Sequence, residues 1–150
     1  MKKSNNHFLF FISAIAIVAL DQALKFIVRR NMDAGQSVPL LKNFFHITYI
    51  RNFGAGFGIF QGKTTLFIWF AVIMIGLILF YYDRIIEKKP LQIASALILG
   101  GTVSNLMDRI FFGFVVDYFD FRFFPVFNIG DSCITIGALI LIIYLIKQEK

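Results

Sequence analysis

The sequence predicts an all-α membrane protein of four transmembrane helices, on three observations. The 150-residue chain is 58% hydrophobic and only 16% charged, with a mean hydropathy of +0.74, which is too apolar for an ordinary water-soluble domain. Four apolar windows run from Phe8 to about Val28, from Thr64 to Tyr82, from Leu91 to about Met107 and from Ser132 to Lys147. Each is of the order of length that crosses a hydrocarbon core of roughly 30 Å. The basic residues flank these windows and form no nucleic-acid-binding motif, so the net charge of +6 fits helix ends at a bilayer surface and not a nucleic acid partner. No Pro/Gly/Ser linker or internal repeat divides the chain, so residues 1–150 read as one membrane domain.

The first window competes with another reading, because Lys2 and Lys3 before an apolar run imitate a cleavable signal peptide and Ala14 and Ala16 supply an A-x-A pair. That pair lies inside the run, and the helical pattern continues through Asp21 to Val28, so an uncleaved helix is expected. Four crossings put both termini on one side. Lys2, Lys3, Arg84, Lys88, Lys89, Lys147 and Lys150 would share that side, against Arg29, Arg30, Lys42, Arg51, Lys63, Arg109 and Arg122 on the other. The counts tie, but the first group is packed into shorter segments at helix ends, which makes that side cytoplasmic.

The two outward segments are distinctive. Residues 31–63 contain His46-Ile47-Thr48-Tyr49-Ile50, rich in β-branched and aromatic side chains, followed by Gly54, Gly56 and Gly58, which predicts a small sheet or hairpin. Residues 109–131 are crowded with Phe and Tyr, as expected of a segment lying at the membrane interface.

Polar residues in or beside apolar windows need a reason to be there. Asp21 and Lys25, four apart, share a helix face and can pair, either as a structural ion pair or in direct chemistry. Ser104, Asn105 and Asp108 recur at helical spacing after Gly100 and Gly101, and read equally as interhelical hydrogen-bonding glue or as a polar wall for a peptide backbone. Asp117, Asp120 and Asp131 stand in an aromatic stretch. Asp131 can cap the last helix or take part in catalysis, and Asp117 follows two valines that make its ionisation expensive unless a proton is shared.

Two carboxylates that share one proton can activate water and protonate a carbonyl without metal or cofactor. Other hydrolytic chemistries are poorly supplied: the only histidines are His7 and His46, and neither H-E-x-x-H nor G-x-S-x-G occurs. Cys133, the single cysteine, sits in the last apolar window and reads as packing.

Five blocks in order resemble bacterial lipoprotein signal peptidase, or signal peptidase II: Asp21-Gln22-Ala23-Leu24-Lys25, Arg51-Asn52-Phe53-Gly54-Ala55-Gly56-Phe57, Gly100 to Arg109, Val115-Val116-Asp117 and Phe127-Asn128-Ile129-Gly130-Asp131. The resemblance implies that Asp117 and Asp131 are the catalytic dyad, and that Asn52, Asn105, Asp108, Arg109 and Asn128 line the site and hold the substrate or the dyad. It implies an aspartic endopeptidase of the bacterial cytoplasmic membrane, acting on prolipoproteins just before a cysteine that carries a diacylglyceryl group. Membrane lipid is then a partner, with no cofactor and no obligate protein partner. It further implies an extracytoplasmic β cradle in the first outer loop and a site near the outer leaflet. Gly130 stands where the family usually has Ala, and Ser104 where it usually has Gly.

A small proton- or ion-coupled transporter would also carry intramembrane Asp and Lys, but it predicts acids at mid-membrane, whereas these cluster at helix ends and loops. A noncatalytic assembly factor would use the same polar residues only as glue. Because a packing cysteine takes no part in hydrolysis, Cys133→Ala is expected to retain cleavage of a lipidated prolipoprotein, followed by gel shift of the product. Loss of cleavage in that variant would point to thiol chemistry instead.

Overall fold

The computed structural model describes residues 2–54 and 60–148, with side chains from Asn6 onward. Gly56 and Gly58, Ala55 and Phe57 of the second block, the side chains of Lys2 and Lys3, and Lys150 lie outside the described residues. The elements run α1 (Lys2–Asn31), β1 (Ser37–Leu41), β2 (Phe45–Asn52), α2 (Thr64–Phe80), α3 (Tyr82–Glu87), α4 (Lys89–Phe112), β3 (Val115–Asp120) and α5 (Ile129–Gln148).

Among the described residues, α1, α4 and α5 are long and apolar enough to cross a membrane, and α2 is a shorter apolar helix of 17 residues. Their outward faces carry exposed Phe8, Ile15, Trp69, Phe70, Ile142 and Ile146, while charged groups such as Asp21, Lys25 and Asp108 are fully buried. This inverts the pattern of a soluble protein and suits a solvent of lipid tails. Several such helices in one chain fit a multi-pass membrane protein.

The predicted windows recur with shifted ends. The connector expected over residues 83–90 is largely helical, as α3, and α4 starts at Lys89 with Pro90 in its first turn, where a missing N–H is harmless. At its far end α4 runs past Met107 through Arg109 to Phe112. Gly113 stops it there, with φ of 79° and its N–H on Arg109 O at 3.1 Å, the left-handed cap that glycine adopts without strain. The last helix begins at Ile129 instead of Ser132.

α4 is the central helix, with 61% of its apolar window buried against 22% for α1 and 11% for α5. Two adjacent glycines let it touch neighbours on both sides. A Cβ at Gly100 would lie 2.8 Å from Ile17 Cβ of α1, and one at Gly101 would run into the backbone oxygen of Gly130 in α5. Small residues at such crossings allow the close backbone approach on which helix association in lipid depends.

The β-rich first outer segment is present as the β1–β2 hairpin, but the sheet is not confined to it. Its order is β1-β2-β3, antiparallel throughout, with the third strand supplied by the second outer segment. Residues 109–131 are therefore more than a connecting segment. They divide into the end of α4, strand β3, and a return to α5. The strand escaped the sequence reading because Val115 to Tyr118 are buried on both faces, so the alternation that marks a half-buried strand is missing. In the β2–β3 register Asn52 faces Val115 and Ile50 faces Asp117, which makes Asn52 a diagonal neighbour of Asp117.

Gly101→Ala is expected to force α4 from α5 and to destabilise by about 1–3 kcal/mol, as overpacking does. Gly76→Ala in α2, where a Cβ meets nothing within 4 Å, should be neutral or mildly stabilising. Thermal unfolding of both variants in detergent checks the contrast.

Candidate active site

A cavity of about 480 Å³ opens between the N-terminal half of α2, the C-terminal half of α4, the start of α5 and the sheet. Its polar wall carries Asn52, Asn105, Arg109, Asp117 and Asp131, and Phe67, Phe70, Met74 and Ile134 continue it as an apolar surface. Two acids that are 14 positions apart in sequence thus meet on one wall, Asp117 from β3 and Asp131 from the first turn of α5.

Three asparagines hold the pair, and their amide orientations are fixed by the bonds each makes elsewhere. Asn52 Oδ1 accepts the Gly54 N–H at 2.9 Å, so its Nδ2 donates to Asp117 Oδ2 at 2.9 Å. Asn128 Oδ1 accepts the Asp131 N–H at 2.8 Å, so its Nδ2 donates to Asp117 Oδ1 at 2.7 Å. Asn105 Oδ1 accepts Lys25 Nζ at 2.7 Å, so its Nδ2 donates to Asp131 Oδ1 at 2.8 Å. The last oxygen, Asp131 Oδ2, accepts the Asn128 N–H at 3.3 Å. Each of the four carboxylate oxygens therefore meets an N–H, and each keeps a lone pair for a proton or a water.

The capping reading of Asp131 needs correction. Asn128 is the residue at the cap, with Asp131 as the third residue of the helix, and the two bond reciprocally as a capping box. Capping and a place on the cavity wall are combined in one side chain.

Beneath the acids lies a buried ionic core. Lys25 Nζ bonds Asp21 Oδ2 at 2.8 Å and Asp108 Oδ2 at 3.0 Å, with all three side chains fully buried. The expected pair of Asp21 and Lys25 is therefore part of a larger cluster, which reaches the cavity through Asn105. Ser104 Oγ donates to Asp21 Oδ2 at 2.6 Å, and Gln22 Nε2 reaches both Ser104 and Asp108. Asp108 does not line the cavity. Its Oδ2 accepts the Val116 N–H at 3.0 Å and so fastens β3 to α4. Asn128, likewise fully buried, lies behind both acids. Arg109 does reach the cavity wall, where Nη2 donates to Gly54 O at 3.1 Å and the guanidinium lies 5.0 Å from the Phe67 ring centre.

The two acids of β3 have opposite surroundings. Burial, and next the charge of Asp131, push the Asp117 carboxyl up to about 7 against the pull of its asparagine donors and Lys25. Burial also acts on Asp120, but hydrogen bonds from Thr48 and Arg122 outweigh it and hold that carboxyl below its ordinary value. Asp120 is off the cavity wall and ties β3 to β2, so its role is to fix the strand pairing.

Gln22 and Tyr118 were not singled out by the sequence as functional. Gln22 carried a weak sign, being inside the first polar block, while Tyr118 was one aromatic residue among many. The Tyr118 hydroxyl donates to Asp21 Oδ1 at 3.0 Å and accepts the Ile129 N–H at 3.2 Å. Among the described residues no group of three or more His, Cys, Asp or Glu is placed to hold a metal ion.

The family model of signal peptidase (SPase) II matches residues 13–147. A lipoprotein signal peptidase of Halothermothrix orenii is 45% identical over 140 residues, 93% of this chain and 97% of that protein. Another from Moorella thermoacetica is 41% identical, covering 88% of this chain and 89% of the relative. A solved structure of a bacterial membrane enzyme, obtained by the in meso method at 2.3 Å, superposes with a TM-score of 0.89 at 33% identity, over 95% of this chain and 90% of its own.

A pair that works by sharing one proton loses it once both acids ionise. With Asp117 pushed up to about 7, it holds a proton below that pH and gives it up above. The value of kcat/KM for peptide cleavage is therefore expected to fall as pH rises beyond about 7, approaching roughly a decade per pH unit. A rate profile from pH 5 to 9 checks this, and a rate still climbing at the top of that range contradicts it.

Proposed function

The chain belongs to the signal peptidase II family, a membrane peptidase that removes the signal peptide from prolipoproteins, and from that premise we propose that Asp117 and Asp131 are its catalytic pair. The observation that carries the proposal is the convergence of these two acids on one cavity wall, joined from behind by Asn128, which bonds to both.

In the proposed reaction Asp117, pushed up to about 7, holds the shared proton, and Asp131 is the ionised partner that takes a proton from water. The water oxygen attacks the scissile carbonyl carbon while protonated Asp117 gives its proton to the carbonyl oxygen, which yields a neutral tetrahedral diol. Asp131 then gives its proton to the leaving nitrogen while Asp117 takes a proton from a diol hydroxyl, so that the C–N bond breaks, the carboxylic acid forms and the shared-proton state is restored. Asn52 and Arg109, on the same wall, hold the substrate backbone; Asn105, Asn128 and Asp108 hold the acids and their strand in place.

The substrate is a prolipoprotein bearing a diacylglyceryl group, cut just before the modified cysteine. The apolar continuation of the cavity through Phe67, Phe70 and Met74 of α2 and Ile134 of α5 gives acyl chains a path from the acids to lipid. α2 completes four crossings: 17 residues rise about 25 Å at 1.5 Å per residue, near the lower limit for a span. Both termini are then cytoplasmic, the sheet lies outside, and the acids meet water near the outer leaflet. Acids at the outer ends of helices, instead of along a mid-membrane path, give the transporter alternative no support.

Asp117→Asn and Asp131→Asn are each expected to lower cleavage of a diacylglyceryl-modified substrate by several orders of magnitude while the protein still folds and inserts, because an amide replaces neither proton role. Asp120→Asn should be much milder. The same assay with an unmodified precursor should show little product. Substantial cleavage by Asp131→Asn would reduce that residue to its part in the capping box, where the amide oxygen of Asn can still accept the Asn128 N–H.

A further inference from the structure

Between Asp117 and Asp131 the chain leaves the sheet, turns, and enters α5. A proton shared by two carboxylates demands a fixed height of the helix against the strand. Two side chains bridge the gap: Asn128 donates to Asp117 Oδ1 at 2.7 Å and to Val116 O at 3.3 Å, and Tyr118 reaches the first N–H of the helix. Tyr118 follows Asp117 directly and is 1% exposed, and its hydroxyl accepts the N–H of Ile129 at 3.2 Å, two residues before Asp131. That N–H belongs to the first residue of α5 and has no partner within the helix. The same hydroxyl donates to Asp21 Oδ1 at 3.0 Å, and Asp21 is itself held by Lys25 and Ser104.

We propose that Tyr118 is a positioning residue for the cleavage reaction, its hydroxyl locking the start of α5 to β3 and to Asp21 of α1 so that Asp131 is held at the height of Asp117. The main-chain bonds stop short of the helix: the N–H groups of Tyr118 and Phe119 both reach Phe127 O, at 3.0 and 2.8 Å, and the Phe127 N–H returns to Phe119 O at 3.1 Å, one residue before the Asn128–Asp131 cap. Burial beside Asp21 holds the phenol well above its ordinary range, so the proton stays on oxygen and is donated to Asp21. The bond is therefore constant over the pH range in which the pair works.

The inference rests on the catalytic pairing of Asp117 and Asp131, which has its own test in the Asp→Asn variants. Tyr118→Phe keeps the ring and removes only the hydroxyl, and leaves Asp21, Lys25, Asp108 and Arg109, the other ionisable groups around the pair, in place. Misplacement of a catalytic group by a fraction of an ångström to 1 Å lowers the rate by about ten- to a hundredfold. Purified Tyr118→Phe is expected to show kcat lowered about tenfold or more on that ground, KM within about twofold of the parent, and a displaced alkaline limb of the rate profile. Val28→Ala, in the same buried apolar cluster, is the control: it should lower the unfolding temperature and leave kcat and the limb alone. 3-Fluorotyrosine at position 118, which retains the hydroxyl, should restore kcat. Parental kcat and limb in Tyr118→Phe, or a kcat loss no greater than that of Val28→Ala at equal loss of Tm, overturns the inference.

Discussion

Lys25 is the charge on which the site is built. A fully buried ammonium is tolerable only when acceptors replace its water, and here Asp21, Asp108 and Asn105 supply one bond each. Those three acceptors lie on two helices, and each leads elsewhere. Asp21 leads to Ser104 and Tyr118, Asp108 to the backbone of β3, and Asn105 to Asp131. A single cation thus ties α1 to α4 and, through its acceptors, to the strand and the helix that bear the paired acids. In lipid, where apolar contact gives helices little reason to prefer one another, such bonds and close backbone contacts decide the arrangement.

Much of this was legible in the sequence because the bilayer writes in long apolar runs. Windows beginning near Phe8, Thr64, Leu91 and Ser132 all recur as helices, and the β-branched stretch from His46 to Ile50 recurs in β2. Polar residues inside those windows also announced themselves, since an unexplained Lys25 or Asp108 in an apolar run needs a partner. What the sequence hid was whatever depended on contacts between distant segments. β3 had no alternating pattern because both its faces are covered, and the end of α4 was obscured because Arg109 resembles a loop residue while it stays helical up to Gly113. Nor could spacing separate Asp117 from Asp120. They lie three apart on one strand, and only the register with β2 sends one to the cavity and the other to Thr48.

The two departures from the family pattern belong to one place in the fold. Ser104 Oγ bonds Asp21 Oδ2 at 2.6 Å, and a Cβ at Gly130 would lie 3.2 Å from that same oxygen. A hydroxyl delivered from α4 and a methyl group delivered from α5 would crowd a single carboxylate already bonded to Lys25. The serine and the glycine are therefore best understood together, as one packing solution around Asp21, and neither disturbs the hydrogen bonds that reach Asp117 and Asp131.

The locked asparagine amides also decide what kind of molecule can sit in the cavity. With an N–H already on every oxygen of Asp117 and Asp131, the pair has one shared proton to donate and free lone pairs to accept, and a ligand carboxylate would add negative charge to a pair that already repels it. What suits it is a group that both accepts and donates. A neutral secondary alcohol on a lipophilic backbone, placed where the tetrahedral carbon would stand, does both and lets its apolar arms follow Phe70 and Met74. The chemistry of an inhibitor for this enzyme is thus set in part by three amides, one of which, Asn128, lies behind the wall.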